Sequence, residues 1–566
     1  MNAVDWIVLF GTLGTIVLYG VMKTRGTRNM EAYLLGSKSL PWWTVCLSIM
    51  ATQASAITFL STTGQGYEDG MRFLQFYFGL PVAMIILSVT AVPLYHKLKV
   101  FTAYEYLETR FDLKTRSLAA FYFLVLRGVS VGITIYAPSL ILSTILGWNI
   151  NLTTVLIGSL VMVYVVSGGT KAVSVTQKYQ LTIIMTGMVL TGLIAFWKLP
   201  GNVSFSDAFR FAGETGKLNL INLSFNLEDR YNIWSGLIGG LFLFLSYFGA
   251  DQSQVGRYLS GSSITESRLG LIFNGILKIP MQFIILYIGL MIFVFYQFYQ
   301  PPLIHNVSLR DKVVMAGAEA RVKELEAEYD GVFLERRTAA EGLMQAIQGK
   351  DASAIQTQKE SLKQAQQKEN ELRNDMKDLV KKELPGQNPM DKDYVFIHFV
   401  MSYLPHGLIG LLLAVVFSAA MSSMASELNA LASTTTVDIY RRSMRPGQSD
   451  EHYVSASRWM TIGWCVFAIV FASLANQAEN LIQFVNIVGS LWYGTILGIF
   501  LSAFYLKYLR SNAVFWGAIF AELIILYLYF FTKVAFLLYN IIGCVAVVAL
   551  ATLFQLMEGK KKRPAV

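Results

Sequence analysis

WWTVCLSIMATQASAITFLSTTGQG, residues 42–66, has the length of a membrane span and the wrong composition for one that faces lipid. About 20 apolar residues cross a hydrocarbon core as a helix. This stretch carries Ser48, Thr52, Gln53, Ser55, Thr58, Ser61, Thr62 and Thr63 at membrane depth. Irregular or polar backbone is tolerated there only where protein or a water-filled cavity surrounds it. The stretch therefore belongs inside a bundle of spanning helices. A second such stretch, 233–252, holds Gly236, Gly239, Gly240, Ser246, Gly249 and Asp251. The two open units of about 42–198 and 233–507 in corresponding positions. Paired interrupted helices of this kind point to the midplane site of a secondary transporter.

Working outward, the 566-residue chain is 54% hydrophobic and 15% charged, with a mean hydropathy of +0.48, so lipid is its solvent. Hydropathy predicts about thirteen transmembrane helices: 5–22, 42–66, 71–96, 117–146, 151–167, 179–197, 233–252, 269–297, 404–438, 454–475, 480–507, 513–531 and 533–555. The first has Asp5 ahead of it and Lys23, Arg25 and Arg28 behind it, the reverse of a secretory signal's charge order. It reads as a retained span with the N-terminus outside. The basic residues then fall in the loops expected to be cytoplasmic, as does the tail Lys560–Arg563. The positive-inside rule thus explains the net charge of +9 and leaves no case for nucleic acid. The expected location is a plasma membrane of the bacterial inner type, with the C-terminus cytoplasmic.

Composition changes abruptly between the eighth and ninth spans. Residues from about 308 to 384 are rich in Glu, Lys, Gln and Ala, with Leu325, Val332, Leu343 and Ile347 at helical spacing and a break at Gly349-Lys350-Asp351. The pattern predicts an antiparallel helical hairpin standing on the outer side, each arm reaching about 50 Å. It is either a solvated spacer or a docking site for an outer protein partner. The chain divides into 1–41, an extra span and cytoplasmic loop; 42–304, the first part of a core; 305–392, the insert; 393–510, the rest of the core; and 511–566, two further spans and a basic tail.

Catalytic chemistry finds little support. Cys46, Cys465 and Cys544 lie inside apolar spans without metal-ligand spacing. The five histidines are scattered, and no glycine-rich phosphate loop occurs. The ninth span, by contrast, carries Ser418, Ser422, Ser423, Ser426 and Ser433 among alanines. Small and hydroxyl residues serve close helix packing. Beside a broken helix they have a second use, because freed carbonyls and serine hydroxyls are oxygen ligands for a hard cation such as sodium.

At these residues the sequence resembles the sodium/solute symporter family, which includes sodium-coupled glucose, proline and sialic acid transporters. Four stretches in family order carry the likeness: Ser48–Ala56, Gly168–Val173, Asp251-Gln252 with Val255 and Arg257, and Ala419–Ser423 closing at Val437–Tyr440. The resemblance covers residues 1 to about 510, apart from the insert. It implies a LeuT-type five-plus-five inverted repeat and sodium-driven uptake. It also implies a sodium site of the Ala51, Ala54 and Ala419 carbonyls with the Ser422 and Ser423 hydroxyls. Tyr247 would be an inner gate tyrosine, and Lys278, Asn486 and Thr58 pocket residues, with Gln53 and Tyr77 beside them.

Departures are informative. Gln177 stands where many members carry an aspartate, and Ala425 where members with a second sodium site have a hydroxyl, which argues against a second ion. Phe76–Leu80 and Phe244 replace polar sugar contacts. Without the resemblance, Lys278 reads either as functional or as a lysine snorkelling to the cytoplasmic end. Asp251 reads as a structural partner of Arg257, and Tyr247 as an ordinary interior aromatic. The expectation is a sodium-coupled symporter of a small polar solute working by alternating access. A sugar or polyol is preferred over a small organic anion. A solute-sensing receptor of the same fold is the rival, and no enzyme activity is expected.

Overall fold

The computed structural model describes residues 1–24, 39–389, 391–474 and 481–558. Arg25, Arg28 and the tail Lys560–Arg563 lie outside them, as do the side chains of the Gly168–Val173 motif. The described residues are helical throughout, apart from connecting loops and one isolated bridge between Leu40 and Gly261.

In chain order the first half contributes α1 (Ala3–Thr24), α2 (Trp42–Gln53), α3 (Ala56–Asp69), α4 (Leu113–Leu146), α5 (Ile150–Trp197), α6 (Gly240–Gly249), α7 (Gln252–Tyr258) and α8 (Ile264–Phe298). There follow α9 (Glu319–Gly349), α10 (Ala352–Glu383), α11 (Tyr394–Tyr403), α12 (Leu408–Thr434), α13 (Asp450–Leu474), α14 (Leu481–Tyr505), α15 (Ser511–Phe531) and α16 (Phe536–Met557).

Both interrupted stretches are broken helices. The chain leaves helical geometry at Ala54 (φ −84°, ψ 69°) and Ser55 (φ −80°, ψ 170°) between α2 and α3. Thr58 Oγ1 donates to the Gln53 carbonyl at 2.9 Å, so a side chain satisfies an acceptor that a continuous helix would have satisfied. The second break falls at Ala250 and Asp251, between α6 and α7. The carbonyls freed there accept from Tyr95 and Tyr104, at 2.6 and 2.8 Å. Asp251 then caps α7 by accepting from the Ser253 N–H at 2.9 Å.

Among the described residues nine helices are long and apolar enough to cross a membrane, against about thirteen expected spans. Interruption accounts for part of the difference, since 42–66 is two helices of 12 and 14 residues. The expected spans 151–167 and 179–197 both fall within α5. Asn149 and Asn151 at its start line a cavity with Asn306 and Gln387, while Asn202 beyond its end accepts from Gln348 of the insert at 2.7 Å. Two apolar segments, Ile150–Val163 and Tyr179–Trp197, thus lie within this one element, which merges two expected spans.

The core lies around α12, of which nearly every residue is buried against α1, α2, α4 and α5. Large apolar side chains such as Phe10, Trp197, Trp459 and Phe531 are exposed on the periphery, where lipid would cover them. Backbones approach closely where α8 meets α3: a Cβ on Gly289 would lie 2.0 Å from the Thr63 carbonyl oxygen, so only glycine fits.

The arms of the insert are α9 and α10, joined through Lys350 in the left-handed region (φ 55°) with Asp351 capping the second arm. Leu325, Leu343 and Ile347 are buried, whereas Val332 is only partly covered. The hairpin does not stand away from the membrane domain; it lies along it. Arg336 donates to the Tyr296 carbonyl at 2.6 Å, Arg373 to the Leu303 carbonyl at 2.8 Å, and Lys359 pairs with Glu214 at 3.4 Å. Buried arginines shared with Glu369 draw the arms down, because a free-standing hairpin would leave its second apolar stripe in water.

Candidate functional site

The break after α2 and the middle of α12 meet. Ser422 Oγ donates to the Ala51 carbonyl at 3.5 Å, and Ser423 Oγ is buried with no hydrogen-bond partner among the described residues. Ala54, whose backbone turns out of the helix, and Ala419 are fully buried beside them. Oxygens holding a hard cation at about 2.4 Å lie about 3.4 Å apart in octahedral geometry. The Ser422–Ala51 spacing and the unpartnered Ser423 hydroxyl fit a sodium ion held by carbonyls and hydroxyls. Next to this group Gln177 is fully occupied. It accepts from Ser48 Oγ at 2.6 Å and donates to Ser422 and Ser426 at 2.9 and 3.1 Å. A neutral amide thus ties together hydroxyls that an aspartate would have offered to an ion.

One cavity of about 120 Å³ adjoins the break and brings together Gln53, Thr58, Tyr77, Tyr247, Lys278 and Asn486, with Ser423 on its wall. These come from α2, α3, α6, α8 and α14 and from the turn before Phe78, so no pair of neighbouring elements makes the pocket. Gln53 donates to Asn274 at 3.1 Å, and Gln282 donates to the Tyr77 hydroxyl at 2.7 Å. Phe76, Tyr77 and Phe244 form an aromatic wall. Lys278, only 1% exposed, does not snorkel to a membrane edge. Its ammonium lies 5.9 Å from the Tyr77 ring centre, and among the described residues no carboxylate pairs with it.

The floor is ionic. Arg127 from α4 reaches Asp251 at 2.6 Å, Glu427 at 2.9 Å and the Tyr493 hydroxyl at 2.6 Å, and stacks over Tyr247 at 5.1 Å. Tyr493 donates to Asp251 at 2.8 Å, and Gln254 donates to the Tyr247 hydroxyl at 2.7 Å. The ion-pair partner of Asp251 is therefore Arg127, where the sequence suggested Arg257. A guanidinium from a distant span can satisfy two carboxylates at once, and that registry is invisible along the chain. This floor links α4, α7, α12 and α14.

A model of the sodium:solute symporter family matches residues 33–319 and 378–521. The chain belongs to that family. Among its relatives, the sodium/sialic acid symporter SiaT of Proteus mirabilis is 25% identical over 562 residues, 97% of this chain and 94% of that protein. A sodium/glucose cotransporter of Vibrio parahaemolyticus is 24% identical over 92% of this chain and 84% of its own length. Human sodium-coupled monocarboxylate transporter 1 is 32% identical, over 48% of this chain and 44% of that protein. The solved structure of a sodium-coupled sialic acid symporter in a substrate-bound, outward-open state superposes with a TM-score of 0.76 over 98% of both chains at 24% identity. This symporter is thus a multi-pass integral membrane protein of LeuT-type fold that couples a solute to sodium, and not an enzyme.

The symporter's floor residues Arg127, Glu427 and Tyr493 were not singled out from sequence. Arg127 and Glu427 carry a legible signal, being charges in the middle of apolar spans. Tyr493, Ser130 and Thr134 carry none, since hydroxyls and aromatics recur on many of these helices.

Proposed function

We propose that this symporter imports a small hydroxylated organic anion with sodium by alternating access. The observation that carries the reading is Lys278, a buried ammonium facing the cavity for which the described residues supply no carboxylate partner. An unpaired charge at membrane depth is costly, and a carboxylate on the solute would supply the missing counter-charge. Thr58, Gln53 and Asn486 offer hydrogen-bonding groups for hydroxyls, and the aromatic wall covers the apolar face of a ring or short chain. Two of the relatives are named for acids and one for glucose. A neutral sugar or polyol is the second reading; it would satisfy the amides and leave Lys278 uncompensated.

In this reading sodium binds first, at the break. Its ligation by the Ala51, Ala54 and Ala419 carbonyls and by Ser422 and Ser423 pins α2 to α12 and fixes the start of α3, where Thr58 sits. The solute then bridges Lys278 on α8 to the ordered break. Each ligand favours the occluded state over either open one, which is the condition for coupling. Opening toward the cytoplasm separates α7 from α4 and frees the sodium ligands. Each positive charge entering down 100 mV contributes about 2.3 kcal/mol, besides its concentration gradient.

Uptake into proteoliposomes tests this, with labelled sugar acids, monocarboxylates and neutral sugars offered with and without an inward sodium gradient. Sodium-dependent uptake of acids, lost in Lys278→Met, is the expected result. Sodium-dependent uptake of neutral sugars alone, unaffected by Lys278→Met, would sink the anionic reading.

A further inference from the structure

The first sodium position leaves part of the cavity floor unexplained. Glu427 is 7% exposed, and while its Oε1 takes Arg127 at 2.9 Å, its Oε2 makes no hydrogen bond of ordinary geometry among the described residues. Ser423, one turn earlier on α12, likewise has an unpartnered hydroxyl, and both side chains line the same cavity. Residues four apart on a helix share a face. The same spacing sets Ser130 and Thr134 on the facing side of α4, both lining that cavity. Thr134 lies within hydrogen-bonding reach of the Glu427 carboxyl. Four oxygen-bearing side chains from two helices thus line one cavity.

Charge points the same way. Arg127 is one guanidinium between two carboxylates, Asp251 and Glu427, and the phenols Tyr247 and Tyr493 that complete the floor are neutral. With both carboxylates ionised, the floor carries one net negative charge. Lys278, the other cation on the cavity, lies on the aromatic wall over Tyr77 and makes no ion pair with Glu427. A buried carboxylate oxygen without a donor is costly unless something positive meets it. Oxygen ligands with a single uncompensated charge suit a hard monovalent cation.

We propose that the cavity floor binds a second sodium ion, between the Glu427 carboxylate and the hydroxyls of Ser130, Thr134 and Ser423. The site is separate from the ground around Gln177, whose amide is spent on Ser48, Thr52, Ser422 and Ser426. Ser423 stands between the two ions and would pass information from one to the other. The inference rests on the sodium position at the α2 break, so its test must separate the two.

Equilibrium binding of radioactive sodium to the purified full-length symporter, without any solute, does so. The wild type is expected to hold two ions per chain, Ser422→Ala one and Glu427→Gln one. Glu427→Asp, which keeps the charge on a shorter arm, should hold two with the second bound at least tenfold more weakly. Size-exclusion elution and thermal melting check that each variant is folded, and Glu427→Asp carries the test if Glu427→Gln is not. A single ion in the wild type and in Glu427→Gln alike would overturn the second site while leaving the first intact. Two ions in Ser422→Ala and one in Glu427→Gln would instead remove the site at the break.

Discussion

Ser423 is a residue whose environment argues for its role: it is buried, its hydroxyl has no partner among the described residues, and it lines the cavity next to Ser422, which donates to the Ala51 carbonyl. Ser423→Ala should raise the sodium concentration for half-maximal uptake roughly five- to thirtyfold, the factor that about 1–2 kcal/mol gives. An unchanged sodium response would strike it from the site. Arg127 has a different burden, because removing it strands two buried carboxylates. Arg127→Ala should lower stability by about 3–5 kcal/mol, seen as a fall in melting temperature. A melting curve like the wild type's would mean that Asp251 and Glu427 are not held as described. Asp391, in the loop outside the membrane segments, adds a pH dependence. Burial works against its ionised form, but His305 at 2.8 Å, Arg373 and the Asn306 N–H hold its carboxyl down at about 2. A carboxyl depressed in the folded state contributes stability above its unfolded value of about 3.9 and loses it as pH falls toward 2. Amide exchange at residues 303–309 should therefore stay slow at pH 5 and rise between pH 4 and 2, a change that Asp391→Asn should abolish. Exchange that rises equally in both would remove Asp391 from the anchor.

At the scale of elements, broken helices and close packing depend on each other. The freed carbonyls of the second break are met by Tyr95 and Tyr104, and α3 can lie against α8 because Gly289 leaves room for the Thr63 carbonyl. Gly289→Leu would force the two helices apart where the cavity wall carries Lys278 on α8 and Thr58 on α3. Overpacking costs typically about 1–3 kcal/mol, and solute uptake should fall more than sodium binding does. Equal losses would show that the contact is merely structural. The insert is an element of the same kind. Its packing on Tyr296 and Leu303 was not legible, because the Glu, Lys and Gln pattern marks a hairpin but not the surface it covers. The two breaks themselves were legible, since serine, threonine and glycine at membrane depth have no use in a lipid-facing helix.

For the whole molecule, two sodium ions and one monoanionic solute would carry one net positive charge inward per cycle. Uptake at equilibrium should then increase about fiftyfold for each 100 mV of inside-negative potential, the ratio equivalent to about 2.3 kcal/mol. Imposing that potential on proteoliposomes with a potassium ionophore checks it. Indifference to potential would fit one sodium ion with a monoanion and so count against the second site.

Sequence alone determined that this chain lives in lipid, that its helices break in two corresponding places, and which family those breaks resemble. The first two follow from composition or from near-neighbour spacing, because hydrocarbon punishes any polar residue that is there without a reason, and the third is a likeness of motifs. Only the tertiary structure decided that Lys278 faces a cavity instead of a membrane edge, that Asp251 takes Arg127 from a distant helix, and that Glu427 and Ser423 line the same cavity. A side chain's charge is written in the sequence, but whether that charge is neutralised depends on which helices lie against each other, and those contacts join residues up to several hundred positions apart.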